Sequence, residues 1–124
     1  MTDRIAVLAQ DLIWQDRLAR SVHAAGAEPM RAKTAPEFDR ALECAHAAII
    51  DLTARGYDPL AAIERAVARD VPVLAVGQHD DLELRKRALA RGADRVLAYR
   101  KLADDGPATI KAWMGRVATV PAAS

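Results

Sequence analysis

Asp51 is the residue best placed to do chemistry, because it directly follows the apolar run at residues 46–50 (HAAII). A carboxylate in that position is solvated only if the strand opens into a crevice. It then serves either as a nucleophile or metal ligand, or as a turn or capping residue, and position alone leaves both open. Other strand-like runs deliver further polar residues: Gln10 and Asp11 after Ala9, Thr53 after Asp51, Gln78 and His79 after Gly77, and Arg100 and Lys101 after Tyr99. No glycine-rich phosphate loop follows the first run, since residues 8–14 (LAQDLIW) contain no glycine. His23, His46 and His79 lie on different elements, and Cys44-x-His46 crosses a helix end into a strand, a poor metal spacing. No Ser-His-Asp arrangement falls on suitable loops.

The elements that must position these residues alternate along the chain. Residues 4–10 (RIAVLAQ) form a buried strand, Asp11 offers an N-cap, and residues 12–25 read as an amphipathic helix closed by Gly26. Residues 28–33 form a weak strand, placed at a sheet edge by Pro29, which cannot donate to a ladder. Thr34, Pro36 and Glu37 have the spacing of a helix start with a capping box. Asp58-Pro59 opens a third helix running to about Arg69, residues 71–76 (VPVLAV) are the clearest strand, and Asp80 or Asp81 caps a fourth helix closed by Gly92. Residues 95–99 (RVLAY) form a fifth strand, and residues 104–107 (DDGP) open a last helix to about Ala118. Such alternation implies a parallel sheet with right-handed crossovers and helices on both faces. Five strands fit the flavodoxin-like order 2-1-3-4-5, whose functional crevice lies beyond the strands' carboxyl ends. The expected fold is therefore a doubly wound α/β domain over residues 1–119, with a tail at 120–124. Trp14 and Trp113 fall on helices covering one sheet face, where packing is the plain reading and a partner-binding anchor the sharper one.

Composition agrees with one soluble domain. Of the 124 residues 52% are apolar but only 4% aromatic, so the core must be built from Ala, Val, Leu and Ile. A net charge of +1 gives no electrostatic footprint for nucleic acid. The single cysteine excludes an intrachain disulfide. There is no signal-peptide pattern and no apolar run near the ~20 residues of a membrane span, so a cytoplasmic protein is expected.

Three stretches carry a resemblance to a family. Asp51-Leu-Thr-Ala-Arg-Gly56-Tyr-Asp58-Pro, Val71-Pro-Val-Leu-Ala-Val-Gly-Gln-His and Ala88-Leu-Ala-Arg-Gly-Ala-Asp94 resemble, in order, the phosphoacceptor strand and loop, the fourth strand, and the junction before the fifth strand of response-regulator receiver (CheY-like) domains. The resemblance spans nearly the whole chain and puts Asp51 at the phosphoacceptor position. The departures fall on the chemistry that the resemblance implies. The two acids that hold Mg²⁺ in receivers are here Ala9 and Gln10, and Asp11 lies one residue late, where an N-cap is expected. The hydroxyl residue after the fourth strand is Gly77, the lysine after the fifth is Tyr99, and the aromatic switch position is Val96. Lys101 lies two residues beyond and could substitute only through a bulge. With Thr53 these residues make a degenerate pocket, since phosphoryl transfer depends on positioning and charge neutralisation.

The expectation is thus a pseudo-receiver of two-component signalling that is not an enzyme, needs no cofactor, and works by binding another protein. From Arg85 to Lys101 seven basic residues (Arg85, Lys86, Arg87, Arg91, Arg95, Arg100, Lys101) face Asp94 alone. They map to the helix-four to helix-five face, where they favour an acidic partner, and a homodimer through that face is the other arrangement. No direct contact with nucleic acid or membrane is expected. Two alternatives stand beside this reading. One is a working phosphoacceptor, with Asp11, Gln10 and Lys101 replacing the missing groups around Mg²⁺. The other is a small-ligand module using room left by Ala9 and Gly77.

Overall fold

In the computed structural model, which describes residues 3–78 and 80–119, strand and helix alternate five times. The elements are β1 (Arg4–Leu8), α1 (Leu12–Ala24), β2 (Glu28–Ala32), α2 (Ala35–Leu42), β3 (Ala47–Asp51), α3 (Pro59–Ala68), β4 (Val73–Gly77), α4 (Leu82–Ala90), β5 (Arg95–Ala98) and α5 (Tyr99–Thr119). All five strands are parallel, in the order β2-β1-β3-β4-β5. The expected tail at 120–124 lies outside the described residues, as does His79.

The sheet is buried on both faces, which explains why its central strands show no polar alternation. Ile5, Val7, Ile49, Leu74 and Val76 point to one side, where α1 and α5 cover them with Leu18, Val22, Ile110 and Trp113. Ala6, Leu8, Ile50, Val73 and Ala75 point to the other, against Phe38 of α2, Ile63 of α3 and Ala88 of α4. Trp113 is fully buried and donates its indole N–H to Asp94 at 2.9 Å, so it is a packing residue.

Side-chain caps set the helix starts. Asp11 accepts from the N–H groups of Ile13 and Trp14, Asp58 from Leu60 and Ala61, and Thr34 from Glu37. Of the two candidates before α4, Asp81 is the cap. Gly26 and Gly92 close α1 and α4 with φ of 93° and 111°, a region open to glycine without strain.

Several boundaries differ from the sequence reading, β1 ending at Leu8 rather than Gln10 among them, and two have a clear physical cause. β4 begins at Val73 rather than Val71, because Pro72 contributes only its carbonyl, to the N–H of Ala48. The segment before residue 104 is helical rather than a loop: the chain turns straight from β5 into a helical turn that buries Leu102, breaks at Asp105 (φ −149°, ψ 41°), and resumes around Pro107. Proline suits that restart, where its missing N–H would have no helical partner. Among the described residues no helix is long and apolar enough to cross a membrane.

Candidate functional site

The carboxyl ends of β1 and β3 meet where the strand order reverses, and Asp51 ends β3 at that point. Its side chain is only 2% exposed. Oδ1 accepts the Thr53 N–H at 2.9 Å, the Thr53 hydroxyl at 2.9 Å, and a very short hydrogen bond from the Tyr99 hydroxyl. The two hydroxyl oxygens lie 2.6 Å apart, so one carboxylate oxygen and two hydroxyls form a closed triangle. Among the described residues no hydrogen bond reaches Oδ2. Below the carboxylate the Tyr57 hydroxyl donates to the main-chain carbonyls of Asp51 (2.7 Å) and Leu8 (3.2 Å), tying β3 to β1.

Burial and the neighbouring carboxylate act together on the two phenols. Tyr99 is pushed well above the ordinary tyrosine range, first by burial and then by its hydrogen bond to Asp51, with the Thr53 contact opposing. Tyr57 is pushed up more, again by burial first and then by the charge of Asp51. Both therefore remain neutral donors at neutral pH.

Tyr99 is held from the opposite side by Trp14. The two rings lie 4.1 Å apart between centroids at a 34° tilt, and the Arg17 guanidinium sits 5.4 Å from the Trp14 ring centre. Trp14 is thus not a core residue like Trp113. It backs the tyrosine that closes over Asp51.

Gln10 does not point its amide oxygen into open space. Oε1 accepts the N–H groups of Gly56 (3.0 Å) and Arg55 (3.2 Å), fastening the β3–α3 loop to the β1–α1 turn. A Cβ on Gly56 would push the end of the Gln10 side chain aside, so glycine there lets the amide lie against the loop. Asp11 spends one carboxylate oxygen on its two cap bonds.

A crevice of about 360 Å³ remains beside Asp51, lined by Gln10, Asp11, Asp51, Thr53, Ala54 and Arg55. Four residues expected in the pocket do not line it: Ala9, Gly77, Lys101 and Tyr99, the last of which reaches Asp51 by its hydroxyl without facing the crevice. Ala9 is 0% exposed and belongs to the core under α1. Gly77 is buried, and a Cβ there would rest on Leu52 at an ordinary 3.5 Å, so Leu52 takes up the room that glycine leaves. Lys101 is exposed on the first turn of α5, because the chain enters a helix at Tyr99 with no bulge. Ala54 and Arg55 are the lining residues that the sequence did not single out; their only signal was their place in the loop after Asp51.

The basic run is also divided by the fold. Arg91 is ion-paired with Glu64 of α3 at 2.7 Å, and Arg87, one turn earlier, shares that side of α4. Arg91 stays exposed, with its charge matched by Glu64. Arg85 and Arg100 are exposed, and Arg95 is half-buried on edge strand β5 beside a shallow cavity with Asp94, Arg116 and Val117.

No family model matches this chain, and no curated protein does. Solved structures do. A response regulator from Burkholderia pseudomallei, determined with a phosphorylated aspartic acid, calcium ion and citrate, superposes with a TM-score of 0.69 at 19% identity, over 77% of this chain and 59% of that one. NtrX from Brucella abortus, in complex with ADP, gives 0.73 at 19% identity over 95% of this chain and 30% of that one. A CheY-like receiver domain protein from Methanospirillum hungatei gives 0.72 at 19% identity, over 94% and 99%. The chain thus spans little more than half of the first protein and under a third of the second. At such identities the likeness is one of fold, and the fold is that of response-regulator receiver domains.

Proposed function

We propose that this chain is an atypical receiver-like domain of two-component signalling that acts by binding another protein, without phosphoryl transfer at Asp51. The observation that carries this reading is the closure of Asp51 by Tyr99, at the position where the resembling family has a lysine. A neutral phenol cannot supply the positive charge that phosphoryl transfer demands beside the reacting oxygens.

The residues present do not fit Mg²⁺. A hard cation needs several oxygen ligands, preferably carboxylates. Here Ala9 offers none, the Gln10 oxygen is taken by two main-chain N–H groups, Asp11 is capping α1, and one oxygen of Asp51 holds two hydroxyls. The domain on this reading is not an enzyme and carries no cofactor. Its partner is the acidic surface of another protein, met on the α4–β5–α5 side by Arg85, Arg95 and Arg100. A homodimer through that side would set like charges against each other, and direct contact with nucleic acid has no support in the net charge of +1.

The second reading, a phosphoacceptor, draws on the crevice beside Asp51 and on Oδ2, which no described residue hydrogen-bonds. Intact mass after incubation with acetyl phosphate and Mg²⁺ separates the two, with Asp51→Asn as control. No adduct is the expected result. A phosphate-sized adduct that needs Mg²⁺ and disappears in the variant would overturn the proposal.

A further inference from the structure

Asp51 has a second carboxylate oxygen, which the triangle with Thr53 and Tyr99 leaves out. The side-chain hydrogen bonds that it accepts from described residues all fall on Oδ1. The residue is 2% exposed, yet among the described residues no buried side-chain oxygen or nitrogen lacks a partner. Oδ2 is therefore reached by solvent, and the crevice that Asp51 lines is its opening. An acceptor enclosed on every other side calls for a donor from that side, because an unmet buried carboxylate oxygen is costly. Two further charged side chains line the same crevice. Asp11 caps α1 through Oδ1 alone, so its Oδ2 has no hydrogen bond from a described residue. Arg55 makes no ion pair with a described residue. Two carboxylates against one guanidinium leave the lining negative on balance.

We infer that this crevice binds a small zwitterion of the amino-acid class, its ammonium on Asp51 and Asp11 and its carboxylate on Arg55. A primary ammonium carries three N–H donors on one compact charge, enough to serve two carboxylates at once. The Arg55 guanidinium offers a fixed fork that pairs with a carboxylate. An anion alone, inorganic phosphate included, meets one cation and two like charges, and a diamine leaves Arg55 unmatched. The volume of about 360 Å³ lies at the small end of the ~300–1,000 Å³ typical of ligand pockets, so a compact ligand fits. The walls are set before a ligand arrives. Thr53 and Tyr99 hold Oδ1 of Asp51, the cap bonds hold Asp11, and Gln10 holds the main chain at Arg55. Fixing these groups in advance lowers the ordering cost of binding.

Isothermal titration calorimetry with the standard free amino acids tests this, with methyl esters, N-acetyl derivatives, putrescine and inorganic phosphate to separate the two ends. At least one free amino acid is expected to bind saturably. Its methyl ester, which lacks the anion, and its N-acetyl form, which lacks the cation, should each bind about tenfold or more weakly. Putrescine and phosphate should do no better. Asp51→Asn and Arg55→Gln should each weaken binding by about the same factor. Asp11→Asn keeps a capping side chain and removes the charge, so it should weaken the ammonium end without unwinding α1. Circular dichroism confirms that the variants are folded. No saturable binding of any free amino acid would overturn the site, as would an affinity indifferent to Asp51→Asn and Arg55→Gln. Equal binding of the ester, the N-acetyl form, putrescine or phosphate would overturn the zwitterion. The titration uses neither acetyl phosphate nor a partner protein, so its failure is distinct from failure of the protein-binding reading.

Discussion

Tyr99→Phe is the sharpest single test of the site, because it removes one oxygen and leaves the ring against Trp14. The loss is the hydroxyl donated to Asp51 Oδ1 and the contact with Thr53. A hydrogen bond to a charged group contributes about 1.5–3 kcal/mol. Water from the adjoining crevice can replace part of it, so the lower end applies, about 1.5 kcal/mol. For a domain of this size that lowers Tm by roughly 6 °C. Urea unfolding and calorimetry at pH 7 measure it, and a double-mutant cycle with Asp51→Asn isolates the pair. The pH dependence has a definite sign. Tyr99 titrates higher in the folded protein than in the unfolded chain, so its contribution is complete below the ordinary tyrosine value of about 10 and is lost as pH rises above it. The gap between wild type and Tyr99→Phe should therefore narrow above that pH. A Tm within about 1 °C of wild type, or additive effects of the two substitutions, would refute the reasoning.

Four further outcomes are expected. Gly56→Ala should destabilise the native chain through its clash with Gln10 but do far less harm in a Gln10→Ala background; additive losses in thermal melts would contradict the clamp. Hydrogen exchange at the Arg55 and Gly56 amides should speed up in Gln10→Ala, with β4 amides unchanged. Gln15, buried on α1, donates one amide group to the carbonyls of Ala9 (3.1 Å) and Ala32 (2.9 Å), the latter also accepting the Ala9 N–H, so Gln15→Ala should cost about 2 kcal/mol in urea unfolding, and a neutral effect would mean that water satisfies the Ala9 carbonyl. The hydrogen-bonded Arg65 holds the Asp39 carboxyl below its usual range, so Asp39→Asn should lower Tm slightly at pH 7, and the difference should vanish as pH falls below about 4; a difference that grows in acid would refute the pairing.

The site was legible in part. Asp51 could be found because an acid after a fully apolar run marks a strand end at a crevice, and Asp11 could be read as a cap because it precedes a helical period. The lining could not be read, because burial of Ala9 and the packing of Leu52 on Gly77 depend on residues distant in the chain. The same holds for Tyr99. The sequence shows a tyrosine where a lysine is expected. That its hydroxyl reaches Asp51, backed by Trp14, depends on β5 lying two strands from β3 and on α5 beginning without a loop.

What the sequence alone determined was periodic or local: the alternation of elements, the parallel sheet, the edge placement of β2 and the helix caps. Each follows from hydrophobic period or from a side chain bonding its own near backbone, forces that act within a few residues. Tertiary structure decided which groups meet across the sheet. It paired Arg91 with Glu64 of α3, left Leu82 and Leu89 exposed on α4, and fastened Gln10 to the loop at Gly56. Contacts of that kind are fixed by strand order and helix rotation, which no local window of the chain contains.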